Sequence, residues 1–256
     1  MNSIAVRGML VRGMLAGLLA GGFALLVSYF LGEPAVDAAI AFEEHNAGAH
    51  EHGEAPLVTR TMQSTAGLAT GVLVYGVAIG GIAALVICYG LGRMGRFGPR
   101  AVSALTAGAA LVCVYVVPFL KYPANPPAVG DPETIGRRTA LYFLLVALAV
   151  ILCVAAVLAG KALTPRIGGW WASVAGGAGF VLAMWAAFVL MPGSGIDVGH
   201  FPADVLWEFR VATLAVHVTL WTAFGLVFGE LAERLLVPGR RGVGSGGDVV
   251  GAAAVQ

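Results

Sequence analysis

Histidine and glutamate are concentrated in one short polar stretch of this sequence, Phe42-Glu-Glu-His-Asn-Ala-Gly-Ala-His-Glu-His-Gly-Glu54. Imidazole nitrogens and carboxylate oxygens are ligands for Co²⁺, Ni²⁺, Zn²⁺ and Fe²⁺. Two histidines, His50 and His52, stand two residues apart, so an extended or turning chain lets both bind one ion. The sequence therefore predicts a metal site with the ligands Glu43, Glu44, His45, His50, Glu51 and His52.

The side chains of this stretch exclude some metals but do not identify the metal that binds. The stretch contains no thiol or thioether, which argues against Cu(I). Affinity order alone would favour Cu²⁺ or Zn²⁺, so cobalt and nickel are not distinguished from zinc. The alternative interpretation is a solvated polar loop whose histidines bind no metal.

A fifth histidine, His217, lies inside an apolar run, seven residues after Arg210 and on nearly the same helix face. At 1.5 Å per residue it sits about 10 Å deeper than Arg210. An ionisable residue inside a membrane helix is a candidate functional residue. We predict that His217 is a metal ligand or proton relay on a transport path, beside Thr213. The alternative is a neutral histidine that is hydrogen-bonded to a neighbouring helix.

Other kinds of chemistry find little support in the sequence. The cysteines Cys88, Cys113 and Cys153 lie in three different apolar runs, and we expect each to behave as a small apolar residue. No Walker A, zincin or nucleophile-elbow pattern occurs, so we do not expect an enzyme. The 15 Lys and Arg residues nearly balance the 14 Asp and Glu residues, which argues against nucleic-acid binding.

The elements that must position these residues are membrane helices. Hydrophobic residues make up 59% of the 256 residues and charged residues 11%, and the mean hydropathy is +0.87. Such a chain predicts an all-α integral membrane protein of the cell membrane, because about 20 apolar residues cross a bilayer as a helix. We predict six spans, with five as the alternative: Leu10–Leu31, Ala66–Leu91, Ala101–Leu120, Ala140–Gly160, Ile167–Met191 and Val211–Gly229. For the first run a signal peptide is a further alternative, although its charge-free stretch is longer than usual.

The distribution of basic residues predicts the orientation. Ten would lie on one side: Arg7, Arg12, Arg93, Arg96, Arg100, Lys161, Arg166, Arg234, Arg240 and Arg241. Five would lie on the other: Arg60, Lys121, Arg137, Arg138 and Arg210. By the positive-inside rule the side with ten faces the cytoplasm and both termini are inside. Eleven of the carboxylates then lie outside, where they attract cations.

The chain divides into one transmembrane domain and a tail. The domain covers 1–236, with a metal-facing outer loop at about 32–65, and we expect the Gly-rich tail 237–256 to be disordered. Glycines at four-residue spacing (Gly13, Gly17 and Gly21; Gly67 and Gly71; Gly76 and Gly80) predict close helix packing within the bundle. The Pro-rich connection 118–133 is either an ordered outer lid, in which Asn125, Asp131 and Glu133 offer oxygen ligands, or a rigid linker.

Several of these segments together resemble the CbtA family of predicted cobalt transporter subunits. The resemblance rests on Pro56-Leu-Val-Thr-Arg60, Lys121-Tyr-Pro-Ala-Asn-Pro-Pro127, Gly130-Asp-Pro132 and Arg210-Val-Ala-Thr-Leu-Ala-Val-His217, and covers about residues 7–236. It implies Co²⁺ uptake linked to cobalamin synthesis, and a small single-span partner, CbtB. The family is commonly described with five spans.

We therefore expect a multi-pass transporter subunit whose cargo is a divalent transition-metal ion, Co²⁺ before Ni²⁺ or Zn²⁺. Its partners would be the lipid bilayer and a CbtB-like subunit, and the sequence does not indicate an oligomeric state. The alternative from another class is a non-transporting metal sensor or accessory subunit. Transport of metal by the chain in vesicles distinguishes the two.

Overall fold

The computed structural model describes residues 3–47, 58–95, 97–127, 129–130 and 132–236. Five helices in it are long and apolar enough to cross a membrane. They are α1 (Ala5–Asn46), α2 (Arg60–Gly90), α3 (Pro99–Lys121), α4 (Ile135–Leu190) and α5 (Ala203–Leu236). The all-α membrane fold is thus confirmed.

Helix α1 is longer than the sequence predicted. The first span was expected to end at Leu31 and a loop to begin near residue 32, but Glu33–Ala47 is α-helical. A π-helical turn at Ser28–Gly32 ends two residues before Pro34. Proline removes one helical hydrogen bond and crowds the carbonyl four residues earlier, and a π turn accommodates that local mismatch. The helix therefore continues beyond the end of the apolar run.

Helix α4 combines two of the predicted spans in a hairpin. Its backbone is helical on both sides of Gly168, which has φ 80° and ψ 159°. The two arms, 135–167 and 169–190, fold back on each other, since a Cβ at Gly176 would lie 3.0 Å from the carbonyl oxygen of Ala156. Leu145 and Met184 belong to the same buried cluster further from the turn. The five helices therefore provide six long apolar arms.

The other helices form the main core. Buried residues of α1, α2, α3 and α5 make one apolar cluster, which includes Met9, Ile87, Val102 and Phe228. The predicted glycine packing is confirmed between α1 and α2, because a Cβ at Gly17 would lie 2.1 Å from the carbonyl oxygen of Gly76. At Gly71 a Cβ would meet nothing within 4 Å, so that glycine is not part of the contact.

The bundle has two ends of different character. At one end, called the basic end here, the start of α1 lies beside the finish of α5, where a Cβ at Gly8 would be 3.4 Å from Leu235. There Arg100 and Arg234 each pair with Glu230, with N–O distances of 2.6 Å. The opposite end, called the acidic end, carries Glu33, Asp37 and the Pro-rich connection. The two described ends of the chain thus lie at the same end of the bundle.

Candidate functional site

The structure describes three of the six residues in the predicted His/Glu site. Glu43, Glu44 and His45 are exposed on the last turns of α1. Consecutive residues on a helix point about 100° apart, so these three side chains do not face one common ion. His50, Glu51 and His52 lie outside the described residues. Within the described part of the chain, no three His, Cys, Asp or Glu side chains come together as a metal group.

Two other carboxylates of the acidic end are engaged by one arginine. Arg60, at the start of α2, donates to Asp37 Oδ1 at 2.9 Å and also to Glu33 Oε2. These two ion pairs join the end of α1 to the start of α2. Glu33 and Asp37 are among the outer carboxylates that we expected to attract cations, and in the structure they pair with Arg60 and hold two helices together.

His217 lies inside the bundle between α5 and α3. Its Nδ1 is 2.9 Å from the carbonyl oxygen of Thr213, one turn earlier on its own helix. Its ring stacks on Tyr115 of α3, with centroids 3.7 Å apart and planes 11° from parallel. The partner of Nδ1 is thus on the same helix, whereas the alternative interpretation placed the partner on a neighbouring one. The stacking on Tyr115 was not anticipated, because a tyrosine in an apolar run gives no sign of its partner.

Tyr115 belongs to an irregular part of α3. Residues Leu111–Val116 form a π-helical turn in the middle of the span. The carbonyl oxygen of Val114 accepts a hydrogen bond from the Tyr142 hydroxyl of α4 at 3.1 Å. Single π turns inside α-helices are frequent at functional sites, because they redirect side chains and free carbonyl groups.

The Pro-rich connection is an ordered lid, tied to both neighbouring helices. Lys121 Nζ donates to the carbonyl oxygens of Phe188 and Met191 at 2.6 and 2.9 Å, and so caps the second arm of α4. The Tyr122 hydroxyl donates to the carbonyl of Pro192 at 2.7 Å. Burial raises the pKa of the Tyr122 phenol, so it remains a donor at physiological pH.

Arg210 fastens the lid to α5. Its Nη2 donates to Asn125 Oδ1 at 2.9 Å and its Nε to the carbonyl oxygen of Ala124 at 3.2 Å. The amide oxygen of Asn125, predicted as a possible metal ligand, is therefore used by Arg210. Asp131 lies outside the described residues, and Glu133 is exposed. The structure thus favours the lid over the plain linker.

One glycine of the lid region leaves space for an arginine. Gly130 has a φ of 96°, and a Cβ there would lie 2.5 Å from Nη1 of Arg138. A side chain at position 130 would therefore be strained and would displace the guanidinium. This arrangement holds Arg138 beside the cavity under the lid.

The outer cavity lies under this lid, at the acidic end. It has a volume of about 730 Å³ and is lined by Tyr115, Tyr122, Asn125, Arg138, Tyr142 and Ser194 among others. The described lining contains no carboxylate and no imidazole, so its oxygen ligands are neutral. The ring of Tyr115 separates this cavity from His217, which stacks on it.

An inner cavity of about 500 Å³ opens on the other side of the π turn, toward the basic end. It is lined by Met94, Cys113, Cys153, Lys161, Thr164 and Ser173 among others. Between the two cavities lies a buried apolar layer that contains Val117, Leu145, Ala149 and Met184. The interface of α3 and α4 thus holds one cavity at each end and closed packing between them.

Two cysteines from different helices line the inner cavity. Cys113 and Cys153 both line this cavity, and Cys153 packs against the buried apolar cluster that contains Cys113. The packing of both in an apolar cluster agrees with the expectation that each behaves as a small apolar residue; that the two line one cavity was not anticipated. The residues are 40 positions apart, and their spacing alone could not reveal the shared cavity. Cys88 packs elsewhere, against the core of α1, α2, α3 and α5.

Comparison with protein families decides the class of this molecule. The family model "Probable cobalt transporter subunit (CbtA)" matches residues 6–233. The chain belongs to the CbtA family. The match includes all five helices up to the last turn of α5, and agrees with the resemblance drawn from the Pro-rich motif. No match is found among the curated proteins or among the solved structures.

Membership in the CbtA family makes this chain a multi-pass membrane protein and a transporter subunit whose cargo is cobalt. A subunit implies partner subunits in the working transporter. Two motifs that carried the resemblance meet in the structure, since Arg210 binds Ala124 and Asn125 of the Lys121–Pro127 segment. In this CbtA chain they have a structural role, which is to hold the lid of the outer cavity.

Proposed function

We propose that this CbtA chain itself conducts Co²⁺ into the cell, from the acidic end to the basic end. The observation that carries the proposal is the pair of cavities on either side of the π turn of α3, with closed apolar packing between them. Alternating access requires a site that is reached from one side at a time. A sensor or accessory subunit has no need of two such cavities.

His217 is the proposed mid-path ligand, as the sequence suggested. Because a carbonyl oxygen cannot donate, the contact with Thr213 places the proton on Nδ1 of the neutral ring. The lone pair is then on Nε2, where a cation can bind. Displacement of the Tyr115 ring would open the way from the outer cavity to this nitrogen.

The ion is captured at the acidic end in this proposal, with His50, Glu51 and His52 as the main ligands and Glu43, Glu44 and His45 as neighbouring ones. Uptake is driven by the inside-negative membrane potential, about 4.6 kcal/mol for a divalent ion per 100 mV. The partner is a small single-span subunit of the CbtB kind. Ni²⁺ and Zn²⁺ are the competing cargoes.

The test is uptake of radioactive Co²⁺ by liposomes that contain the full chain, with and without the small partner. The proposal expects uptake that depends on the chain and rises with an inside-negative potential, and weaker competition by Ni²⁺ and Zn²⁺ than by unlabelled Co²⁺. Co²⁺ binding without uptake, in the presence of the partner, would instead support the sensor or accessory function.

The capture step has its own test, the double variant His50→Ala with His52→Ala. Removal of two ligands should raise the Co²⁺ concentration needed for half-maximal uptake at least about 10- to 100-fold, the range already seen for outer-shell losses. Maximal uptake should recover at high Co²⁺, because the proposed mid-path ligand His217 is unchanged. Uptake that is unchanged at every Co²⁺ concentration would make this stretch a solvated linker.

A further inference from the structure

Cys113 and Cys153 form a pair of thiols in the membrane interior. Cys113 lies on the π turn of α3 and is 2% exposed, while Cys153 is half-buried on the first arm of α4. Both thiols line the inner cavity, and Cys153 packs against the buried cluster that contains Cys113. Neither the family description nor the proposed path through His217 assigns them a role.

The surroundings of the pair suit a cation. Within the described lining of the inner cavity there is no carboxylate or imidazole, so the two thiols are the groups there that can become anionic. The thioether of Met94 lines the same cavity and offers a third sulfur. Lys161 is the positive group of the lining, and its ammonium donates to the carbonyl oxygen of Arg93.

We propose that Cys113 and Cys153 form a dithiolate site that binds Co²⁺ in the inner cavity. The inference rests on the proposed function for the identity of the ion, and adds a sulfur site on the inner side of the path. Two Co–S bonds form and two S–H bonds break, and both protons leave to water in the cavity. No electron is transferred. Sulfur ligands bind late first-row ions well.

Charge balance favours this site inside a membrane. An isolated divalent ion in a low-dielectric interior is costly, whereas two thiolates cancel its charge. The cavity volume of about 500 Å³ leaves room for water to complete the coordination shell. Hydroxyl groups of Thr164 and Ser173 line the cavity as well, and they supply oxygen ligands for an ion on its way out.

The test is optical titration of the reduced full-length chain in detergent with Co²⁺ alone. Thiolate-bound Co²⁺ gives a sulfur-to-cobalt charge-transfer band in the near ultraviolet, which histidine and carboxylate sites lack. We expect this band in the unchanged chain, with release of two protons for each Co²⁺ that contributes to the band. Cys113→Ser and Cys153→Ser should each abolish it or weaken binding about 100-fold or more, since outer-shell losses alone reach that range.

The matched control is Cys88→Ser, which removes a thiol from a different part of the bundle and should leave the band unchanged. Retention of the thermal unfolding transition in each serine variant separates loss of the site from loss of the fold. A Cys113→Ala variant repeats the test without a hydroxyl. An unchanged band in the Cys113 and Cys153 variants, or no band in the unchanged chain, overturns the inference.

Transport is measured separately, so that the two proposals fail in different ways. Chain-dependent Co²⁺ uptake without a thiolate band would overturn the dithiolate site and leave the proposed transport intact. A band that depends on both cysteines, in a chain that does not carry Co²⁺ across liposomes, would support the site and overturn the transport proposal.

Discussion

A backbone carbonyl can only accept a hydrogen bond, and this simple fact gives His217 its chemical character. With Nδ1 bound to the oxygen of Thr213, the neutral ring keeps its lone pair on Nε2. Stacking on Tyr115 fixes the plane of the ring. A histidine held in one tautomer and one orientation is suited to bind a passing ion, whereas packing alone requires neither.

We predict that His217→Leu folds and abolishes Co²⁺ uptake even at saturating metal. Leucine is favourable in a membrane helix, so the unfolding transition should be retained. Uptake by the unchanged chain should decline as the outer pH falls, because protonation of the ring removes the lone pair on Nε2. The measurements are initial uptake rates in liposomes across Co²⁺ concentration and pH.

The matched control for this variant is Val218→Leu, which alters the next residue on the exposed face of α5. It should transport normally. If His217→Leu also transports normally, with the pH profile of the unchanged chain, then this histidine is a packing residue.

Some of these residues could be singled out from the sequence and others could not. His217 was found because a titratable side chain in an apolar run is conspicuous. Tyr115, Cys113 and Cys153 are ordinary members of apolar runs. The roles that we propose for them depend on contacts between helices, and so on how α3 and α4 are rotated about their axes. The π turn changes that rotation and leaves no recognisable pattern in the sequence.

At the scale of elements, the hairpin of α4 depends on one residue. Gly168 has φ 80° and ψ 159°, a region that is essentially restricted to glycine. We predict that Gly168→Ala destabilises the protein by about 1–3 kcal/mol, the usual cost of such backbone strain. Denaturant unfolding in mixed micelles would measure the change.

Its neighbour Gly169 provides the control, because a Cβ there meets nothing within 4 Å and the backbone is helical. Gly169→Ala should be neutral or slightly stabilising, since alanine favours helix. Equal effects at the two positions would show that the φ angle of Gly168 does not determine the hairpin.

The contact between α1 and α2 also depends on one glycine, Gly17, where an added methyl group would collide with α2. A Cβ at Gly17 would lie 2.1 Å from a carbonyl oxygen of α2, so the helices must move apart. We predict that Gly17→Ala lowers the free energy of unfolding by about 1–3 kcal/mol, as overpacking does in other cores.

Gly22→Ala tests the same substitution on the open side of α1, where a Cβ meets nothing within 4 Å. The unfolding midpoint of this control should not fall. A Gly17 variant that is as stable as the Gly22 variant would mean that α1 and α2 do not approach as closely as described.

Most elements could be predicted, because long apolar runs have few alternatives in a bilayer. The boundaries at the acidic end could not. The residues after Leu31 are rich in alanine and glutamate, which favour helix, but the apolar run that predicted the span ends at Leu31. In the structure the π turn at Ser28–Gly32 lets the helix continue to the predicted metal ligands Glu43, Glu44 and His45.

At the scale of the whole molecule, the hairpin brings the described ends of the chain to one end of the bundle. The described basic residues of the predicted inner side gather there: Arg7, Arg12, Arg93, Arg100, Lys161, Arg166 and Arg234. The positive-inside rule then predicts that this basic end faces the cytoplasm. Five described helices are long and apolar enough to span, and because α4 folds back at Gly168, six crossings stay our prediction.

Labelling with a membrane-impermeant maleimide on intact cells tests this orientation. Glu44→Cys, exposed at the acidic end, should react from outside. Arg166→Cys, exposed at the hairpin turn, should react once the membrane is permeabilised. The unchanged chain gives the background from its own cysteines. Reaction of Arg166→Cys on intact cells would reverse the orientation.

The π turn of α3 also makes this helix tolerant of a change in length. Ala107 faces Gly225 of α5, and Tyr115, eight residues later, faces His217 of the same helix. In a regular α-helix, seven residues complete about two turns. Deletion of Val112 would therefore relax the π turn and leave both residues facing α5. Cys113 would rotate by about 40° relative to them. The one additional residue in the π turn thus sets the angle between two faces of α3: the face on which Tyr115 contacts His217, and the face that carries Cys113.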